Sequence, residues 1–307
     1  MQQTTSTHEN KKQLFIGSSY VLIAALGFSA KAVLIKLAYG YSNQVDPITL
    51  MSLRMFIALP FFLLVAFWQG NTKKDQSLTV KDWFRVLVLG VLGYYLASFL
   101  DFTGLQFISA GLERLILFLY PTFVILFSAI LFKRSITLRE AIALLLSYSG
   151  MIWVFKENMQ TDSTNVVFGS ALVLSSSICF ALFIMGSGMM VKRIGSARFT
   201  AYSMTVACSA TLLHYILRHE LVPITLPIPV YGLALFMALF STVLPAFMMN
   251  SGIRLIGSGT ASIISSAGPI GTLYLAYLLL DEQLSSAQLI GTFLVLTAVF
   301  VVSRTKS

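Results

Sequence analysis

The sequence predicts an all-α membrane protein: ten transmembrane helices in two inverted five-helix repeats. Three observations carry the prediction. Apolar runs of spanning length fill the chain, the basic residues sort onto alternate loops, and a stretch of the first half recurs in the second.

Of the 307 residues, 57% are hydrophobic and 11% charged, and the mean hydropathy is +0.83. Soluble domains are about 45–50% apolar and a quarter charged, so this is the composition of a chain solvated by lipid. A bilayer core needs about 20 mostly apolar residues per helix. Spans meeting that need are expected near 14–39, 46–69, 83–105, 109–132, 137–155, 166–190, 199–217, 228–253, 257–280 and 286–303. The first is too long for a signal-peptide core and reads as a retained span. The loops are short, so no soluble catalytic domain is expected and any site must lie among the helices or at their mouths.

The net charge of +9 is read as topology before it is read as partner choice, because cytoplasmic loops retain Lys and Arg. With the N-terminus inside, fifteen of the 21 basic residues fall on the cytoplasmic side, among them Lys73, Lys74, Lys133, Arg134, Lys192 and Arg193. Lys156 and Arg218 fall outside, and Lys31, Lys36, Arg54 and Arg114 lie within spans. Both termini are therefore expected on the cytoplasmic side, and a bacterial inner membrane is the expected location. Trp68, Trp83 and Trp153 fall at span ends, as an aromatic belt requires.

An ungapped shift of 148 residues superposes 103–132 on 251–280, pairing Gly104 with Gly252, Ile108 with Ile256, Gly111 with Gly259 and Pro121 with Pro269. The copies are the fourth and ninth spans. Because five is odd, the second copy enters the membrane from the opposite face. Inverted repeats are the architecture by which many transporters build outward and inward states around a site near the midplane. The expected organisation is a tail at 1–13, repeats at 14–155 and 166–303, a connector at 156–165 and a tail at 304–307.

Two segments, PTFVILFSAILFKRSITLREAIALLLSYSGMIWV from Pro121 and GPIGTLYLAYLLLDEQLSSAQLIGTFLVLTAVFVV from Gly268, resemble the EamA family of the drug/metabolite transporter superfamily. That family's signature is a helix with a proline, a short loop carrying Gly-Glu, and a helix with Gln and Gly. The second copy keeps Glu282, Gln288 and Gly291, whereas the first keeps Gly150 but has Lys133 and Arg134 at the acidic loop. That departure argues against a catalytic loop glutamate. The first span, ALGFSAKAVLIKLAY, looks like the family's opening helix, with Lys36 at its lysine position. The resemblance covers nearly the whole chain and implies ten helices around a central cavity and the export of a metabolite.

Ionisable residues within spans are the sharpest local signal. Each costs roughly 2.5–3.5 kcal/mol at a helix centre on insertion scales. Lys31, Arg54, Asp101, Glu113 and Arg114 are expected at similar depth in the outer half, where they must pair or face water. Glu113 and Arg114 point about 100° apart on a helix, so each needs another partner, and Asp101 or Glu113 is expected to bridge to Lys31 or Arg54. A network that only fixes helix register competes with a substrate site. At the 148-residue shift Glu113 and Arg114 become Ala261 and Ser262, an asymmetry that favours a site read by one repeat.

Tyr94, Ser98 and Asp101 share one face at helical spacing and, with Tyr120, are candidates to line a cavity. Ser262, Ser265 and Ser266 are the second half's candidates, although small hydroxyls often only allow close packing. Pro121 and Pro269 are candidate hinges, since each removes a backbone bond at an equivalent place. His214 reads as an interfacial residue rather than a proton relay. Cys179 and Cys208 lie in apolar runs, and no spacing suggests a metal site or a cofactor.

The expected partners are a small-molecule metabolite and the lipid bilayer, not nucleic acid. A proton is the candidate coupling ion and a homodimer the candidate assembly. Three positive groups against two carboxylates favour an amino acid-like, zwitterionic or anionic compound. A secondary exporter is the reading these observations favour over a non-transporting receptor or sensor. An intramembrane enzyme using Asp101 and Glu113 is disfavoured, because no HExxH, GxSxG, DxD or Cys/His constellation is present.

Overall fold

The computed structural model describes residues 2–72, 78–131, 133, 135–158, 163–219, 225–265 and 267–303. Arg134, Ser266, connector residues 159–162 and the tail 304–307 lie outside them. Regular structure among the described residues is entirely helical. In chain order the helices are α1 (Gln2–Tyr41), α2 (Pro47–Thr72), α3 (Val80–Gly104), α4 (Ala110–Leu131), α5 (Leu138–Asn158), α6 (Ser163–Ile194) and α7 (Ser196–His219). Helix α8 joins Ile228–Ala238, Leu239–Val243 and Leu244–Ser265, and α9 (Ala267–Leu280) and α10 (Ser286–Ser303) follow.

Among the described residues, six helical stretches are long and apolar enough to cross a membrane: Gln13–Tyr41, Pro47–Gln69, Val80–Gly104, Ala110–Leu131, Asn165–Ile194 and Ile228–Ile256, with Gly268–Leu280 and Ser286–Ala298 as shorter apolar helices. Helices α5 and α7 are not among them. Helix α5 has charges at both ends, from Arg139 and Glu140 to Lys156 and Glu157, and α7 is rich in Ser and Thr. Trp68, Trp83 and Trp153 are 67%, 48% and 55% exposed, so all three face outward from the bundle.

The packing has an internal two-fold pattern. Helix α1 packs on α8 and α9, and α6 packs on α3 and α4, while α2 pairs with α7 and α5 with α10. Advancing each helix by five exchanges the first two groupings and returns the last two to themselves. Glycine contacts repeat the pattern at atomic scale. A Cβ on Gly104 would meet Val173 Cγ2 at 2.5 Å and the Gly169 carbonyl at 2.9 Å, and one on Gly252 would meet Val21 Cγ2 at 2.5 Å and the Gly17 carbonyl at 2.9 Å. Where α5 meets α10, a Cβ on Gly150 would meet the Gly291 carbonyl at 2.9 Å and one on Gly291 would meet the Gly150 carbonyl at 3.0 Å. Small residues let helix backbones approach closely in lipid, where burial of apolar surface gives no drive to associate.

Two features of the helices escaped the sequence. Helix α3 contains a π-turn at Val91–Leu96 and α8 one at Leu239–Val243, at the same 148-residue offset. The expected break between the eighth and ninth spans, near 254–256, is also absent. In the first copy the chain leaves the helix at Gly104, and Ser109 starts the next by accepting from Leu112 N at 3.2 Å. Its counterpart is Gly257, which has no side chain to cap a new start, and Leu244–Ser265 runs through as one helix.

The paired prolines also differ from a simple kink. Helix α4 breaks at Phe118 and Leu119 into Ala110–Leu117 and Tyr120–Leu131. Pro121 sits in the first turn of the second part, and Pro269 in the first turn of α9. There a missing N–H costs nothing, because first-turn N–H groups have no intrahelical partner.

Candidate functional site

The ionisable residues of α1, α3 and α4 converge. Lys31 Nζ lies 2.6 Å from Asp101 Oδ2, with the side chains 15% and 1% exposed. This is one of the bridges expected from sequence. The Asp101 and Glu113 carboxyls lie within hydrogen-bonding reach of each other, so one proton can be shared between them, and no other donor reaches Asp101 Oδ1 or either oxygen of the fully buried Glu113. Glu113 lies within electrostatic reach of Asp101, Arg114 and Lys31. A buried carboxyl whose contact is another carboxyl is poorly satisfied, and this marks the cluster as incomplete.

Arg114 turns away from its neighbour, as adjacent helical positions require. Its Nε donates to Thr272 Oγ1 of α9 at 2.9 Å and its Nη2 donates to the Phe28 carbonyl of α1. Thr272 in turn donates to the Ser29 carbonyl at 3.0 Å, and Ser29 Oγ reaches the Gly268 carbonyl at 2.8 Å. Arg114 therefore ties the first repeat to the second through backbone carbonyls and a hydroxyl.

Arg54 makes no carboxylate bridge. It is 3% exposed, lies over the Phe102 ring at 4.7 Å and donates through Nη1 to Thr242 Oγ1 at 3.3 Å. Thr242 belongs to the π-turn of α8 and donates to the Met237 carbonyl at 3.0 Å. Arg54 Nε and Nη2 have no partner. A planar fork with two vacant donors suits an oxyanion.

The aromatic candidates are dispersed. Tyr94 lies in the α3 π-turn and packs on Phe183 of α6 with ring centroids 4.7 Å apart, whereas Asp101 turns to α1. The wider turn breaks the i, i+4, i+7 register expected for Tyr94, Ser98 and Asp101. Ser98 is half-buried. Tyr120 meets Phe118 and Phe180 edge-on at 6.0 and 5.1 Å. Ser262 and Ser265 lie on α8, with side chains outside the described structure, and Ser266 lies outside the described residues. His214 Nδ1 is 2.9 Å from the Tyr95 hydroxyl. No group of three or more His, Cys, Asp or Glu among the described residues could hold a metal ion.

Sequence reasoning missed Thr242, Thr272, Ser29 and Glu282 as parts of this region. The three hydroxyl residues sit inside apolar runs where Ser and Thr carry no distinguishing signal. Glu282 was legible as a motif residue, but its target was not. Its Oε1 accepts from Ala110 N at 3.0 Å and its Oε2 from Gly111 N at 3.4 Å. Lys36 Nζ donates to the Ile108 carbonyl at 3.0 Å, beside the same helix start. A cavity of about 420 Å³ opens there, lined by Lys36, Tyr39, Ser42, Asn43, Leu105 and Gln106, among others.

Comparison with known proteins places this arrangement in context. The chain is 32% identical over 280 residues to the uncharacterized transporter YcbK of Bacillus subtilis, covering 90% of this chain and 88% of the relative. It is 26% identical to the uncharacterized transporter YyaM of the same organism, covering 92% and 93%. A solved crystal structure superposes with a TM-score of 0.63 at 18% identity, covering 95% of this chain and 99% of its own, a likeness that bears on fold alone. Residues 15–156 and 167–304 each match the EamA-like transporter family. The apolar helices, the doubled architecture and these matches together make this an integral membrane protein whose relatives are named as transporters, and the chain belongs to the EamA-like transporter family.

Proposed function

We propose that the protein is a secondary active transporter that exports a small amino acid-like, zwitterionic or anionic metabolite by alternating access. In this reading ten helices cross a bacterial inner membrane as two inverted halves, with both termini in the cytoplasm. The observation that carries it is the incomplete buried cluster. Lys31, Arg54 and Arg114 stand against Asp101 and Glu113; Arg54 Nε and Nη2 have no partner, and beyond the Lys31 bridge the two carboxyls have only each other. A purely structural network would be expected to satisfy its own members. The excess of one positive charge favours a ligand bearing an oxyanion, met by Arg54, with any ammonium group directed to the carboxylates. Substrate-lining roles for Tyr94, Ser98, Tyr120 and the α8 serines, and hinge roles for Pro121 and Pro269, belong to the same proposal.

The test is a thermal-shift screen of the purified protein against L-amino acids, nucleosides and small carboxylic acids, followed by flux of each stabilising compound in proteoliposomes. A ligand that binds only the folded form raises its apparent stability. Stabilisation and flux that both disappear in Arg54→Met support the reading, whereas stabilisation without flux supports a receptor. Proton coupling through Asp101 or Glu113 is abandoned if flux ignores a pH gradient and Glu113→Gln leaves it unchanged.

A further inference from the structure

We propose that Glu282 is a latch that holds the outer end of the transport path closed, a contact that its counterpart in the first copy, Arg134, cannot make at the other end. The inference rests on the transporter reading above for the meaning of outer and inner, but its geometry stands independently.

The α9–α10 loop belongs to the second repeat, yet its Glu282 carboxylate closes on the first repeat, accepting from Ala110 N and Gly111 N at 3.0 and 3.4 Å. These are first-turn N–H groups of Ala110–Leu117, which have no partner within their own helix. The helix dipole adds to the attraction for a carboxylate. Lys36 of α1 holds the preceding turn through the Ile108 carbonyl at 3.0 Å, close enough to Glu282 for the two charges to interact. Three separate segments therefore meet at one point.

The loop bearing Glu282 is itself anchored. Ser285 Oγ donates to Glu157 Oε2 of α5 at 2.6 Å and accepts from Gln288 N at 3.0 Å, while Ser285 N donates to Gln288 Oε1 at 3.3 Å. Movement of the first-repeat helix away from this loop must break the Glu282 bonds. Glu113 and Arg114 lie in the first turn beyond them, and the cavity of about 420 Å³ bordered by Lys36 and Gln106 lies beside them. The latch thus stands between an open mouth and the buried charges.

The repeat makes the asymmetry explicit. Lys133 and Asp281, equivalent at the 148-residue shift, both take the left-handed conformation, with φ of 50° and 53°, so both loops leave their helices in the same way. The next residue is Arg134 in one copy and Glu282 in the other. Arginine has no acceptor and cannot receive backbone N–H groups. The helix start it would serve is also missing, since Leu244–Ser265 is continuous. At the opposite end of the bundle Arg193 Nη2 meets Asp82 Oδ2 at 2.7 Å, with Arg193 47% exposed and Asp82 fully buried, so that end is tied by an ion pair between α6 and α3 rather than by a carboxylate on a helix start.

The experiment uses the full chain in nanodiscs, with Cys179 and Cys208 replaced by Ala and spin labels at Asn43→Cys and Leu284→Cys, read by pulsed electron–electron distance measurement. In the parent a single short-distance peak is expected. Glu282→Ala should shift the main peak to longer distance, and Glu282→Asp should fall between the two. Arg134→Glu should leave the outer distance unchanged. Glu282→Leu, which keeps bulk but has no acceptor oxygen, provides a second variant should Glu282→Ala not fold. An unchanged distribution in a folded Glu282→Ala or Glu282→Leu protein overturns the latch. An opened distribution in a protein that moves no solute leaves the latch standing and removes the transporter reading instead.

Discussion

Asp101 holds Lys31 through one oxygen, while beyond the Lys31 bridge its carboxyl meets only that of Glu113. That division is the chemistry of a group with a structural and a functional demand at once. Replacing Asp101 by Ala strands the Lys31 ammonium in a nearly dry site, and losing one member of a buried pair costs about 3–5 kcal/mol. The expected result is a lower melting temperature in detergent, with most of the loss recovered in the Lys31→Met, Asp101→Leu double variant. A double variant no more stable than Asp101→Ala would show that the pair is not the source of the effect. The charges were legible in sequence because an ionisable residue in an apolar run is rare. Their partners were less so. Arg54 found a threonine and an aromatic face, and Arg114 found a carbonyl and a hydroxyl, none of which differs in sequence from ordinary packing residues.

Glycines provide the test at the scale of whole helices. Gly104→Ala and Gly252→Ala each drive a methyl to 2.9 Å from a neighbouring helix's carbonyl, and overpacking of that kind costs about 1–3 kcal/mol. Gly188 in α6 has nothing within 4 Å of its would-be Cβ, so Gly188→Ala is expected to stabilise by up to about 1 kcal/mol through helix propensity. Opposite signs in thermal melts would confirm that the first two are backbone contact points. Equal signs would refute it. The repeat containing these glycines was readable from a single shift of the chain, since Gly104 and Gly252 align within it. The second-copy helix break was not. It depends on whether position 109 or 257 carries a hydroxyl, and apolar length ignores that difference. The prolines were found correctly as a pair, but a first-turn proline and a mid-helix kink look the same in a span without visible caps.

For the molecule as a whole, the sidedness read from Lys and Arg has a direct check. With both termini inside, Asn43→Cys should react with a membrane-impermeant maleimide in intact cells, and Lys74→Cys only after permeabilisation; the reverse pattern would invert the orientation. Contacts within the bundle agree with alternating directions. Asp46 meets His219 at 3.2 Å and Glu157 meets Ser285 at 2.6 Å, all at helix ends expected outside, while Asp82 meets Arg193 at the end expected inside. Composition and charge spacing were sufficient for this level because lipid permits few architectures. They could not disclose the π-turns, each of which hides one additional residue in an unbroken apolar run. Deleting one residue from Val91–Leu96 would restore α geometry, rotate Ala97–Gly104 by about 100° and carry Asp101 away from Lys31. The same deletion in Leu239–Val243 would move Thr242 off Arg54. A surplus residue at one offset in both halves points to a half-length ancestor that already carried it. On that history the irregularity is older than the doubling, and the charges now found in one copy sit beside a bend that both copies share.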